Sequence, residues 1–274
     1  FENEENIGYD RNIRAIMQRS TGKFTMLFSD DDVFMPGAMD EFVEFVLNNQ
    51  DVGYILRSYK FTFRNGNSMI QRYYPTDKEF PAGRDTYIEL FDKGVFLSGF
   101  TIRTDYAREY VVDCFDGSLL YQVYLAAEVC YHHPAAYSRI VISEQIPGGV
   151  HYFGDSKEEK KLYTGGLKGS KDRLNFASWY MKIIDFMEEK YQDGSAAILK
   201  RYMSKYSFSF VAQARGPYLH FKGFIDYCHG LKKLGYAESP YFYLYFIVLL
   251  LFGSKLSWNI IRGLKKIIGH RPKL

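Results

Sequence analysis

The start of the chain alternates between helix-type and strand-type patterns of apolar residues. Residues 10–20 place their apolar side chains on one helical face, with Asp10 as a candidate cap and Gly22 as a candidate end. Residues 24–28 form a short apolar run that is typical of a strand. Pro36 then opens an amphipathic helix. This alternation of element types predicts an α/β fold.

The pattern continues with a hairpin and then becomes mainly helical. Residues 53–63 and 68–74 are rich in Tyr, Ile and Phe and flank an Asn/Gly turn, which predicts a β-hairpin. Downstream we predict a helix, an interrupted strand and a second helix at residues 86–93, 95–103 and 117–129. Residues 147–170 are Gly-rich and charged, which predicts a loop. Residues 171–236 follow helical spacing.

Composition narrows the class of protein. The chain has 274 residues, of which 47% are apolar, so it is long enough to bury a sizeable core. A net charge of only +3 argues against a general nucleic-acid binder. The three cysteines are widely spaced without a CxxC pair, which disfavours a disulfide framework or thiolate zinc site and fits a reducing cytosol.

A cluster of carboxylates follows the first predicted strand. Asp30, Asp31 and Asp32 repel one another, so this placement favours a compensating cation. If the chain stays extended, Asp30 and Asp32 face the same side, and two oxygen ligands of this kind suit Mg²⁺ or Mn²⁺ with a diphosphate. The alternative is a polar turn that caps the helix near Pro36.

The acidic cluster belongs to a longer motif. Residues 6–12 read Asn-Ile-Gly-Tyr-Asp-Arg-Asn, and residues 21–32 read Thr-Gly-Lys-Phe-Thr-Met-Leu-Phe-Ser-Asp-Asp-Asp, with Pro36 beyond them. In order and spacing this series resembles family-two glycosyltransferases of the GT-A fold, and within them the abequosyltransferase-like branch that builds bacterial surface polysaccharides. Residues 5–45 carry the resemblance, and residues 90–135 follow it more loosely.

The resemblance implies a fold and a division of the chain. We expect a Rossmann-like GT-A catalytic core in residues 1–150, a mobile loop with a helical region in residues 151–238, and a membrane-associating tail in residues 239–274. Family members place a first strand and a base-reading Asp before this motif. We therefore expect the chain to be N-terminally truncated, with a C-terminal helical extension.

The resemblance also implies an activity and its donor site. The expected reaction moves a sugar from a nucleotide-diphospho-sugar donor to a lipid-linked or polysaccharide acceptor, with a metal and with inversion. The residues that match the donor-binding pattern are Asn6, Gly8, Arg11, Asn12, Asp30 and Gly99. Asp30 and Asp32 are the expected metal ligands. Some GT-A enzymes add a late His, for which His151 is the candidate, although a lone surface His is the alternative.

An inverting transfer needs a general base for the acceptor hydroxyl. In the family this base is a carboxylate beyond a Gly-containing strand, and Asp116 stands in that order after Gly99. Asp113 and Glu128 are the substitutes. The alternatives are that Asp116 caps the helix from residue 117 and that Gly99 marks a β-bulge.

Two other functions remain open at this stage. A haloacid-dehalogenase-type phosphatase also places Asp-x-Asp after a strand, but it normally has Thr or Val where this chain has Phe34. The absent front part of the family pattern favours a third possibility, a membrane-associated binding module or degenerate transferase without activity.

The tail shows a membrane-type pattern. Residues 241–252 are an unbroken apolar run, too short for the roughly 20 residues of a spanning helix. From Lys255 onwards apolar and basic residues alternate at helical spacing, and no acidic residue follows Glu238. This pattern predicts an in-plane helix on an anionic membrane surface, hence a peripheral protein of the cytoplasmic face. The alternatives are a buried core helix or one tilted span across Gly253.

Overall fold

The chain folds into two compact units, Phe1–Glu159 and Lys160–Leu274. The computed structural model describes residues 2–147, 156–164, 169–215 and 221–267. The first unit is mixed α/β. Its elements are α1 (Tyr9–Arg19), β1 (Phe24–Leu27), β2 (Asp32–Phe34), α2 (Ala38–Asn48), β3 (Tyr54–Thr62), β4 (Ser68–Gln71), β5 (Lys78–Phe80), α3 (Arg84–Leu90), β6 (Phe100–Arg103), α4 (Thr104–Glu109), α5 (Tyr121–His132) and β7 (Ala135–Gln145).

The described strands of this unit form one mixed sheet. Its order is β1-β6-β3-β7-β2, with β4 paired to β3 and β5 paired to β7. β3 and β7 run parallel at its centre, and every other pair is antiparallel. The register of β3 against β7 shifts on both sides of Ser58, which indicates a bulge.

Helices cover the two faces of this sheet. On one face, Phe42 of α2 packs into a cluster with Ile55 of β3 and Ile142 of β7. Neighbouring strand residues point to opposite faces, so Tyr54 lies on the other face, where its ring centroid is 5.1 Å from that of Phe100. Helix α5 is buried from Tyr121 to Cys130, because its sequence is apolar on almost every side.

Most of the sequence-based elements are confirmed. The first helix, the strand of residues 24–28, the helix after Pro36, the hairpin and the later helical region all occur close to their predicted bounds. The predicted strand of residues 95–103 is wrong in its first half, since only Phe100–Arg103 pairs. Strand β7 was not predicted, because Ser138 and Arg139 divide its apolar residues into two short groups, which form neither one continuous run nor a regular alternation.

The second unit is helical among its described residues. Its helices are α6 (Ser170–Tyr191), α7 (Ser195–Lys205), α8 (Phe208–Ala214), α9 (Phe221–Lys233) and α10 (Pro240–Ile267). Gly253 interrupts α10 with φ 67° and ψ 177°, outside the helical region. Cys114, Cys130 and Cys228 are free thiols in this structure, with Cys114 exposed and the other two buried.

Candidate functional site

The acidic cluster forms a tight turn at the end of β1. The Asp32 amide donates to the Ser29 carbonyl at 3.4 Å, so residues 29–32 reverse the chain, and Asp32 then begins β2 opposite Gln145. Asp30 is exposed at the tip of the turn, and the Ser29 hydroxyl donates to Asp31. The assumption that the chain stays extended through Asp30 and Asp32 is therefore wrong, and the relation of the two carboxylates depends on the turn instead.

The hydroxyl of Ser98 fixes the carboxylate of Asp32. It donates to Asp32 Oδ2 at 2.5 Å and accepts the Ser29 amide at 3.0 Å. Ser98 is fully buried. A hydroxyl that both donates and accepts has little rotational freedom, so the side chain that starts β2 has a defined orientation towards the loop before β6.

A buried arginine holds this loop from the interior of the unit. Arg57 of β3 donates from Nε and Nη2 to the Ser98 carbonyl at 3.0 and 2.9 Å, and also to the Phe96 carbonyl. The Ser143 hydroxyl donates to the same Ser98 carbonyl at 3.1 Å. Arg57 is fully buried, and within the described residues its Nη1 has no hydrogen-bond partner. Burying a guanidinium without a carboxylate is costly, so the loop that carries Ser98 is held at an energetic cost.

Gly99 allows the backbone to pass close to that arginine. Its φ is +84°, and a Cβ placed there would lie 2.6 Å from Ile142 Cγ2 and 3.2 Å from Arg57 Nε. Its amide donates to the Leu27 carbonyl at 2.9 Å, which joins the end of β1 to the entry of β6. The packing alone therefore requires glycine here, and the contact of Gly99 with a sugar stays a prediction.

A carboxylate of the same unit already caps the N-terminus of α1. Glu159 Oε1 accepts the Tyr9 amide at 2.6 Å. A Cβ on Gly8, whose φ is +88°, would lie 2.8 Å from Ser156 Oγ and 3.0 Å from Glu159 Oε1. Helix N-termini favour negative groups, and here a protein side chain occupies that place.

The asparagines of the motif make local hydrogen bonds. Asn6 Oδ1 accepts the Gly8 amide at 3.0 Å, which shapes the entry to α1. Asn12 Oδ1 accepts from Asn3 Nδ2 at 2.9 Å on the exposed side of the helix. Both contacts are structural, and a role for Asn6 or Asn12 in donor binding stays a prediction.

The candidate base Asp116 lies beside two arginines of α1. Its Oδ2 accepts from Arg11 Nε at 3.2 Å and from Arg14 Nη2 at 2.7 Å. Its Oδ1 is buried and has no hydrogen-bond partner among the described residues. Helix α5 begins only at Tyr121, so the alternative that Asp116 caps a helix starting at residue 117 is wrong.

The carboxylate that caps α5 belongs to Asp10. It accepts the Leu119 and Tyr121 amides at 2.9 and 3.1 Å and the Ser118 hydroxyl at 3.2 Å. The expectation that Asp10 caps its own helix is wrong, since the side chain reaches across to a different one. Burial raises the pKa of the Asp10 carboxyl to about 7, although its three donors favour the ionised form.

The acidic turn offers only part of a metal site. Within the described ranges, no three or more His, Cys, Asp or Glu side chains are grouped to hold a metal ion. His151, the candidate third ligand, lies outside those ranges. Asp30 and the oriented Asp32 would supply two hard oxygens, which fits Mg²⁺ or Mn²⁺ when a diphosphate and water complete the coordination.

The structure groups the predicted residues into two contact sets. Asp32 and Gly99 share one set through Ser98, while Arg11 and Asp116 share another at the start of α1. Sequence reasoning missed the supporting role of Arg57, although a charged residue inside an apolar strand was a signal for it. Comparisons of the chain with known protein families, curated proteins and solved structures gave no match.

Proposed function

We propose that this protein is a metal-dependent, inverting glycosyltransferase with a GT-A-type core. The observation that carries the proposal is the acidic turn at the end of β1. In this turn the Ser98 hydroxyl orients the Asp32 carboxylate, and the Asp30 side chain is exposed to solvent. The motif residues of α1 lie in the same unit. Together with the sequence resemblance, these features favour binding of a nucleotide-diphospho-sugar donor.

The chain's own residues would divide the work of donor binding. Asp30 and Asp32 would hold Mg²⁺ or Mn²⁺, which when bound neutralises the departing diphosphate. Ser98 would keep Asp32 in its binding orientation, since supporting contacts of this kind determine how well a ligand binds. Arg11 is about half exposed and would be available to the donor from the start of α1.

Asp116 would accept the proton of the acceptor hydroxyl. In the proposed step the hydroxyl oxygen forms a bond to the anomeric carbon, and the bond from that carbon to the diphosphate oxygen breaks. The diphosphate takes the electron pair, and the proton passes to Asp116. The Asp116 side chain is 19% exposed, and Arg11 and Arg14 would hold its carboxylate in place for that transfer.

The proposed acceptor is a lipid-linked or polysaccharide glycan, reached by a protein that is peripheral to the cytoplasmic face of a membrane. The acid-free tail after Glu238 supports this location, because basic residues are attracted to anionic leaflets. The location and the transferase activity are separate proposals and can fail separately.

Calorimetric titration with UDP, GDP, CDP and dTDP, each with Mn²⁺, tests the donor site. We expect one nucleotide to bind in a Mn²⁺-dependent manner. Asp32→Asn should weaken that binding by at least about tenfold, because loss of even a group that only supports a metal ligand costs about that much. Asp31→Asn is the matched control and should bind like the wild type. Binding that survives EDTA, or an unchanged affinity in Asp32→Asn, would contradict the assignment.

Two further assays separate the competing functions. Release of a nucleoside diphosphate from the matching sugar nucleotide would support the transferase. Hydrolysis of p-nitrophenyl phosphate without such release would indicate a phosphatase. Nucleotide binding with no turnover of any sugar nucleotide or aryl phosphate would indicate a binding module.

A further inference from the structure

The first part of α10 is apolar on both of its sides. Its inner side packs in the second unit, where Phe242, Tyr245 and Leu249 are buried. The Tyr245 ring centroid lies 5.3 Å from that of Phe208 in α8, and the Tyr245 hydroxyl donates to the Lys205 carbonyl at 2.8 Å. One side of the helix therefore has a clear protein partner.

The opposite side is exposed. Leu244, Ile247 and Leu251 follow helical spacing, and 44%, 51% and 68% of their surfaces are accessible. We call these three residues the outer stripe of α10. A helix that is apolar on all sides is normally covered by protein or lipid on all sides. Within the part of the chain that the structure describes, protein covers only one side of this helix.

Length and backbone geometry disfavour a spanning orientation for this segment. Among the described residues, Pro240–Ile260 is the one stretch long and apolar enough to cross a membrane, and 22% of its most apolar window is buried. Gly253 breaks the helix within that stretch. From Pro240 to Phe252 the helix is only about 20 Å long, whereas the hydrocarbon core is about 30 Å thick.

Lysine side chains lie beside the tyrosines at the start of α10. Lys205 Nζ lies 5.8 Å from the Tyr241 ring centroid, and Lys232 Nζ lies 5.7 Å from that of Tyr243. Lys255 is exposed just after the break, and no acidic residue follows Glu238. Tyrosines with lysines beside an apolar stripe match the headgroup level of an anionic leaflet.

We infer that the outer stripe of α10 enters the surface of an anionic membrane, with the helix lying in the plane of the leaflet. Apolar insertion of this stripe, rather than the charge of the basic tail alone, provides most of the binding. The inference rests on the membrane location within the proposed function and names the surface that makes the contact, but it depends on neither the metal nor the donor. A second copy of this chain is the alternative occupant, and the experiment separates the two.

Vesicle flotation of the full chain tests this inference. The probes are neutral phosphatidylcholine vesicles and mixed phosphatidylcholine–phosphatidylglycerol vesicles at low and high salt. We expect binding to the mixed vesicles that is weakened, not abolished, by high salt. The triple variant Leu244→Ser, Ile247→Ser, Leu251→Ser should bind at least about tenfold more weakly at either salt concentration, because apolar burial drives insertion.

A matched variant controls for the loss of exposed apolar surface. Val43, Leu47 and Ile70 of the first unit are similarly exposed, so their triple replacement by Ser should leave vesicle binding unchanged. All six positions are exposed, so thermal melts of both variants should match the wild type within a few degrees.

Three outcomes would overturn the inference. The wild type could fail to bind either vesicle, or the outer-stripe variant could bind as well as the wild type. Light scattering without lipid could also show a dimer that the outer-stripe variant loses, which would make the stripe a self-association surface.

Discussion

At the residue scale, the pH dependence of stability depends on Asp10, a side chain of α1 whose hydrogen-bond partners lie at the start of α5. Asp10 is 1% exposed and accepts two amides and one hydroxyl at the start of α5. Burial disfavours its charged form, while the donors favour it. The balance raises the pKa of the Asp10 carboxyl to about 7, and the nearby Glu159 carboxylate adds to the increase. The folded state therefore binds a proton that the unfolded state has released.

This difference predicts how stability depends on pH. The Asp10 pKa is about 7 in the folded state and near 3.8 in the unfolded state. The contribution of Asp10 to the free energy of unfolding therefore falls as the pH rises from about 4 to about 7, and it is constant above pH 7. The slope for one group is at most about 1.4 kcal/mol per pH unit. Asp10→Asn keeps a carbonyl acceptor but cannot ionise, so it should lack this slope.

Urea titrations of wild type and Asp10→Asn from pH 4 to pH 8 measure the effect. The other titrating groups are common to both proteins and cancel in the difference between their free energies of unfolding. Parallel pH profiles for the two proteins would show that Asp10 does not change its protonation on folding.

Asp116 carries the second prediction at this scale. Asp116→Asn should lower kcat by roughly 10²–10⁴, the range expected for a lost general base, with nucleotide affinity little changed. Asp113→Asn is the matched control on the same loop and should keep near-normal turnover. Activity is measured by release of the nucleoside diphosphate, and the configuration at the product's anomeric carbon is read by NMR. Retained configuration would exclude the single displacement.

At the element scale, the entry to β6 connects the acidic turn with the core. The loop before this strand bonds to Arg57 of β3, Ser143 of β7 and Asp32 of β2. Three strands of the sheet therefore determine the position of Ser98. Gly99 makes this possible, because any side chain there would meet the interior of the unit.

Two glycines with nearly the same φ angle test this packing. Gly99 and Gly66 have φ of +84° and +81°, but a Cβ at Gly66 would meet nothing within 4 Å. Gly66→Ala should therefore cost about 1–2 kcal/mol for the left-handed backbone alone. Gly99→Ala should cost a further 1–3 kcal/mol, roughly, for overpacking against Ile142 and Arg57. Chemical denaturation measures both, and equal losses would contradict the close approach at Gly99.

At the scale of the whole molecule, the chain is divided after Glu159 into a mixed α/β unit and a unit whose described residues are helical. The sequence-based division placed the first boundary at residue 150 and set the tail apart from residue 239. In the structure α10 contributes to the core of the second unit through Phe242, Tyr245 and Leu249. The tail pattern was visible in the sequence, but which of its sides is covered by protein was not.

The sequence by itself determined the features that depend on near neighbours. These are the helix of residues 10–20, the strand before the acidic turn, the hairpin, and the apolar and basic pattern of the tail. Each follows from spacing, turn chemistry or charge within a few residues. The acidic motif was also visible in the sequence. The reversal of the chain within it was not, because three consecutive aspartates are compatible with both a turn and an extended segment.

Only the tertiary structure decided which distant groups meet. Asp32 is oriented by a serine 66 residues away, Asp10 caps a helix across a separation of 109 residues, and Glu159 caps the helix of Tyr9 across 150. Such contacts arise from the packing of whole elements around a core, and no local period records them. Because buried polar groups must find partners wherever the fold provides them, these pairings depend on the assembled fold rather than on any segment of the sequence.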